Sequence, residues 1–216
     1  MKTLLTSTSA LAVLAVGLFA AAPVAHATFI NDAATGLAAP AFTQDFSNPA
    51  LADNSVVTNQ FARVSFTPSV YYNPQTGFGF TGNTVGNFTF ASEPAFINPV
   101  TLTFSTPVTG AAFLMAADDT PYTFTALLGG IQVDSGSATV TGTAGHFGFT
   151  GEVFDRIVID ETASVGGGPY WLLGDLQLSA PFVREPARLA VPEPASLVLL
   201  GVSFVALGAM RRRKRS

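Results

Sequence analysis

The sequence predicts an all-β domain, an antiparallel two-sheet sandwich of jelly-roll-like form, set between an N-terminal signal peptide and a single C-terminal transmembrane helix. Three observations predict it. Phe, Val, Ile and Thr alternate with polar residues at period two in run after run. Gly, Pro, Asn and Asp punctuate those runs at short intervals. Between the two apolar ends no convincing helical pattern occurs, and no fixed-period repeat suggests a propeller or β-helix.

The elements follow in chain order. Lys2 gives a positive start, Leu11 to Ala22 are apolar, and Ala25-His26-Ala27 is a small-residue cleavage site. Residues 1–27 therefore read as a signal peptide removed after Ala27 by signal peptidase, the alternative being an uncleaved anchor. The β domain is expected over 28–181. Its strands are expected at Ala41 to Phe46, Asn87 to Phe90, Val100 to Ser105, Val108 to Ala117, Pro121 to Leu128 and Ile131 to Asp134. Three more follow at Gly145 to Phe149, Val153 to Asp160 and Trp171 to Leu178. Gly129-Gly130 predicts a tight hairpin. Asn73-Pro74, Asn98-Pro99 and Asp119-Thr120-Pro121 predict turns before strands. Gly166-Gly167-Gly168-Pro169 predicts a loop before the last strand. Residues 182–190 form a linker.

The last segment, 191–216, is a processing signal in physical terms. Ala195 to Met210 carries no charge and would span roughly 24 Å as a helix. That is short of the ~30 Å hydrocarbon core, a mismatch that snorkelling and bilayer thinning relieve. Arg211, Arg212, Arg213, Lys214 and Arg215 then hold the terminus on the cytoplasmic side. Pro192 and Pro194 keep Glu193 in extended backbone just outside the membrane, where a processing enzyme would find it. The alternative is a plain C-terminal anchor whose prolines only stop a helix.

Composition narrows the partners. Residues 28–190 hold four basic residues, Arg63, Arg156, Arg184 and Arg188, against thirteen acidic ones, a net charge of −9. Such a surface repels nucleic acid and anionic lipid. The chain has no cysteine, so an exported domain must fold on its core alone. His146 is the domain's only histidine and no lysine lies between Thr28 and Ala190, so most nucleophile and base arrangements are missing. His146 is expected as a strand residue with one ring face packed and one nitrogen wet. The expectation is a non-catalytic domain; the alternative is a glycan-active hydrolase with an unrecognised carboxylate pair.

The order Pro192-Glu193-Pro194, apolar run, basic cluster resembles the PEP-CTERM sorting signal of exopolysaccharide-producing Gram-negative bacteria. The resemblance implies an exosortase as the processing enzyme, an inner-membrane-anchored precursor, and delivery to the cell surface or extracellular matrix. The domain also resembles exported domains that bear this tail. It opens with Asp45-Phe46-Ser47, then Ser55 to Phe61 and Val64-Ser65-Phe66. It closes with Phe149-Thr150-Gly151, Phe154 to Ile159 and Gly174-Asp175-Leu176, where an asparagine of the usual ending is missing. That likeness implies a carbohydrate-binding-module-like jelly roll, non-catalytic, with exopolysaccharide as partner.

Two sets of site residues follow. Asp175 lies inside an apolar strand, where an unpartnered carboxylate would cost several kcal/mol, so it is expected to be buried with a partner. The resemblance supplies one: a first-strand acid, here Asp45, sharing one structural calcium ion with Asp175. The alternatives are backbone N–H donors or Arg156. The pairs Asp118-Asp119 and Asp160-Glu161, and Asp134 at a strand end, fit solvated turns as well as oxygen ligands. Glycan contact is expected from flat rings, Tyr71 with Tyr72 and Tyr170 with Trp171, of which only one in each adjacent pair can face outward.

Overall fold

A computed structural model describes residues 27–89, 96–162 and 170–182 of the 216-residue chain. The signal-peptide, linker, glycine-loop and tail readings therefore lie outside the described residues, apart from Ala27 and Phe182. So does Phe90. No helix occurs among the described residues, and none is long and apolar enough to cross a membrane.

Eleven strands form: β1 (Thr28–Ala33), β2 (Phe42–Gln44), β3 (Val56–Val57), β4 (Val64–Thr67), β5 (Val70–Asn73) and β6 (Thr84–Gly86). The longer ones follow: β7 (Val100–Ala117), β8 (Thr120–Leu128), β9 (Ile131–Val140), β10 (Gly145–Glu161) and β11 (Trp171–Leu178). All pairings are antiparallel, and the main path runs β3-β5-β6-β11-β7-β10-β8-β9. Off that path β1 pairs β10, β2 pairs β11 and β4 pairs β7.

Hydrogen bonds thus join all eleven strands into one sheet, where two sheets were expected. The reason lies in β7 and β10, each read from sequence as two strands. One half of β7 pairs β4 and the other half pairs β11, while β10 runs beside both halves. Likewise β10 pairs β1 through its first half and β8 through its second. Both strands bend where the sequence breaks the pattern. The β10 register shifts between Thr150 and Phe154 and again before Arg156. Opposite it, Pro107 of β7 offers no N–H.

The bend closes the sheet over itself. Phe124 is in register with Ile159 of β10. Yet its ring stacks on Phe147 of the same strand, centroids 5.3 Å apart. A straight strand would separate Phe147 from Ile159 by roughly 40 Å. Phe113 and Phe29 also meet the Phe124 ring, at 6.1 and 5.5 Å. The core between the two limbs is therefore Phe-rich, and each such ring stabilises by about 1.5–3 kcal/mol on burial. Gly136 of β9 leaves room for Phe29, whose ring occupies the place a Cβ would take.

Smaller differences have equally local causes. β9 continues past Asp134 to Val140, because Ser135 to Thr139 still pair β8 although their side chains are small. The early strand is Thr84–Gly86, and Asn87 instead uses its side chain to accept from Trp171 N. Thr120 and Pro121 already belong to β8, so the turn is Asp118-Asp119, with Asp119 at φ 49°. Gly129 and Gly130, at φ 58° and 87°, make the expected hairpin in a conformation that favours glycine. After β11, Pro181 bridges Val108 and Phe182 N donates to Pro107 O at 2.8 Å. The described chain ends against the bend.

Candidate functional site

β11 pairs β7 up to Gly174 opposite Leu114, and resumes at Gln177 opposite Ala112. Asp175 and Leu176 thus oppose a single residue, a bulge, and Asp175 takes φ 43°. Leu176 stays fully buried. The bulge swings Asp175 out of the apolar row, leaving its side chain 36% exposed. The expected burial is therefore not found, because periodicity along Leu172 to Leu178 conceals the extra residue.

Asp175 has partners, though not Arg156, which lies 3.6 Å from Asp155. Its Oδ2 accepts from Gln177 Nε2 at 2.8 Å, and Gln177 Oε1 accepts from Leu37 N at 2.8 Å. His146 Nε2 lies 3.6 Å from the same Oδ2. His146 is 7% exposed, and neither ring nitrogen makes a hydrogen bond. The expectation of one wet nitrogen fails because Gly36 lies over the ring; a Cβ there would come 2.8 Å from His146 Cδ2.

Asp45 follows β2 directly, so it is not an acid of the first strand, which is Thr28–Ala33. Phe46, at φ 56°, turns the chain and carries its ring into the core. The exposed Asp45 carboxylate accepts from Ser47 Oγ at 2.7 Å and Ser47 N at 3.0 Å. Those two bonds, the hydroxyl first, hold its carboxyl below the usual range. Asp45 and Asp175 line one cleft of about 180 Å³ with Phe80, Thr81, Gly82, Asn83, Leu114 and Gly174. The fold thus brings the two singled-out acids together, beside oxygen donors from Thr81 and Asn83. Among the described residues no three His, Cys, Asp or Glu side chains converge, so any cation there would draw on hydroxyl, amide, backbone or water oxygens.

The other acids are dispersed. Asp134 accepts from Ser135 N, and Asp160 accepts from Asn98 Nδ2. Asp118 and Asp119 are exposed. Of the aromatic pairs, Tyr72 is 3% exposed and stacks on Phe61, and Trp171 is 1% exposed. Both are core residues and offer no ring to a sugar. Tyr71 and Tyr170 are half-buried, with Tyr170 edge-on to Phe88 and Phe96.

Sequence reading missed a row on the outer sheet face with two hydroxyl pairs flanking one valine. Thr67, Thr101, Val158, Thr125 and Ser135 lie in register across β4, β7, β10, β8 and β9. None of the five is fully buried. A row built from five strands leaves no linear motif; only the pairing reveals it.

Comparison with curated proteins finds no match. The family model of the PEP-CTERM protein-sorting motif matches residues 190–214. That stretch contains Pro192-Glu193-Pro194, the apolar run and most of the basic cluster. The chain carries a C-terminal PEP-CTERM sorting signal, which makes it an exosortase substrate directed to export and surface sorting.

Proposed function

We propose that the chain is a non-catalytic surface or matrix protein that associates with exopolysaccharide after exosortase processing. The sorting motif over 190–214 carries this reading. Signal peptidase cuts after Ala27, the apolar run anchors a precursor in the inner membrane, and exosortase acts near Pro192–Ala195. The described strands form a jelly-roll-like domain of two layers, β7 and β10 bending from one into the other. One structural calcium ion sits between Asp45 and Asp175.

The hydroxyl row supports the glycan part. Thr67 with Thr101 and Thr125 with Ser135 put hydroxyl pairs about 4.8 Å apart on either side of Val158, a face that matches an uncharged polyol chain better than a charged polymer. Tyr71 and Tyr170 are the ring contacts. The non-catalytic reading is supported by what the cleft acids do. Asp45 is spent on Ser47 and Asp175 on Gln177, so neither is set up as a general acid.

Pull-down with polysaccharide extracted from the producing cells tests this. Binding should weaken at least tenfold when Thr101 and Thr125 become Lys, with melting unchanged. Glycan turnover that disappears with Asp175→Asn would replace this reading with a carboxylate-pair hydrolase.

A further inference from the structure

The end of the sheet away from the bend carries an unsatisfied oxygen cluster. Ile157 and Ile159 of β10 are fully buried, and alternation places Glu161 on the same inner face. Glu161 stands directly across from Tyr122, and Thr120 precedes Tyr122 by two residues on that face. Tyr122 is fully buried and Thr120 nearly so. The Tyr122 hydroxyl, Thr120 Oγ1 and Glu161 Oε1 are all buried, and none makes a hydrogen bond. Burial raises the phenol's pKa, and Thr120 Oγ1 lies near enough to oppose that rise as a hydrogen-bond partner would, though outside strict hydrogen-bond geometry.

Charge makes the cluster more unusual. Asp160 adjoins Glu161, and the charges of Glu161 and Asp118 both act on Tyr122. Among the described residues no cation pairs with Glu161. Arg63 lies over the Phe42 ring at 4.8 Å, and Arg156 pairs with Asp155. Residues 90–95 and 163–169 contain no Lys, Arg or His. Burial first, and Asp160 second, push the Glu161 carboxyl up, the direction expected when nothing offsets its desolvation. Asn98 fixes the strand end, accepting from Glu161 N at 2.9 Å and donating to Asp160 Oδ1 at 3.1 Å.

We infer that Glu161, Tyr122 and Thr120 hold a hard cation, calcium, with Asp118 at the rim and water completing the shell. One ion would satisfy three buried oxygens and neutralise a carboxylate on the core face. A lone water would bridge the oxygens and leave the charge. All the donors are oxygen, which suits calcium and not a soft metal. This site is separate from the Asp45–Asp175 cleft and does not depend on that reading.

The experiment uses the full chain in detergent with Asp175→Asn as background, which silences the cleft whether or not it binds metal. Calcium added after chelation should raise the melting temperature of this background, and adding Glu161→Gln should abolish the rise. In chelator Glu161→Gln should melt no lower, because a neutral amide replaces a half-buried carboxylate whose Oε1 is unpartnered. Terbium, a calcium surrogate, should show tyrosine-sensitised emission that falls several-fold in Tyr122→Phe. That second readout holds even where Glu161→Gln folds poorly. An equal calcium shift with and without Glu161→Gln overturns the site. So does the absence of both shift and emission, which leaves an ordered water only.

Discussion

Asp45 and Glu161 are both carboxylates at strand ends, and the fold treats them in opposite ways. Asp45 projects from a turn, and the residue two positions on supplies both of its donors. Its carboxyl is held low. Glu161 points inward at the rim of a Phe-rich core, finds no donor for Oε1, and is pushed up. A turn acid draws its hydrogen bonds from its own neighbours. A core-face acid depends on what the opposite strand brings, and here that strand brings a phenol and a hydroxyl.

The largest effect should come from breaking the core on which both environments rest. Phe124→Ala removes a fully buried ring that stacks on Phe147 and meets Phe29, Phe113 and Tyr122. Loss of about 3–5 kcal/mol in chemical denaturation is expected. A loss below 1 kcal/mol would mean the limbs do not pack through this ring.

Metal withdrawal comes next. At a hundredfold excess over Kd, a bound ion adds about 2.7 kcal/mol. Asp175→Asn should remove that part of the calcium-dependent melting shift which belongs to the cleft. A full shift retained in Asp175→Asn would leave Asp175 as a carboxylate held by Gln177 alone.

Acid titration separates the two carboxylates by sign. The Asp45 carboxyl is depressed in the fold, so its stabilisation is present above its ordinary value of 3.8 and is lost as pH falls through the folded value. Glu161 is raised, so metal-free protein is favoured while Glu161 stays protonated. That advantage disappears as pH rises from 4.5 through the folded value. Glu161→Gln in chelator should flatten the second limb of the stability curve and leave the first intact. NMR titration of the two carboxyls gives the same test residue by residue.

The smallest effect belongs to Ser47→Ala. It deletes the hydroxyl on an exposed carboxylate, so solvent screening limits the loss to a few tenths of a kcal/mol. The Asp45 titration should still move up toward 3.8. An unchanged titration would show that the backbone N–H alone holds it.

Much of this was legible in the sequence. Alternation located the described strands between Val100 and Leu178, except Ser135 to Val140 of β9, and Gly129-Gly130 as a hairpin. It did not reveal that β7 and β10 each span two runs, because a bulge reads along the chain like a loop. The same blindness hid the exposure of Asp175: Leu172-Leu173-Gly174-Asp175-Leu176 looks unbroken until its register with β7 is known. Asp175 stood out as a carboxylate in an apolar run and Asp45 through a resemblance, and the cleft they share depends on loop 80–83, which carries no motif. Glu161 was within reach. Extending the period from Ile157 and Ile159 by one step turns it inward, but that step matters only once Tyr122 is known to stand opposite. Tyr72 and Trp171 could not be sorted from Tyr71 and Tyr170 without knowing which face the core takes.

The central claim, that the chain is sorted to the surface by an exosortase, is tested most directly by intact mass of the protein recovered from the cell surface. The expected species begins at Thr28 and ends within Pro192–Ala195, without the apolar run and Arg211 to Arg215. Surface protein still ending at Ser216 would contradict it.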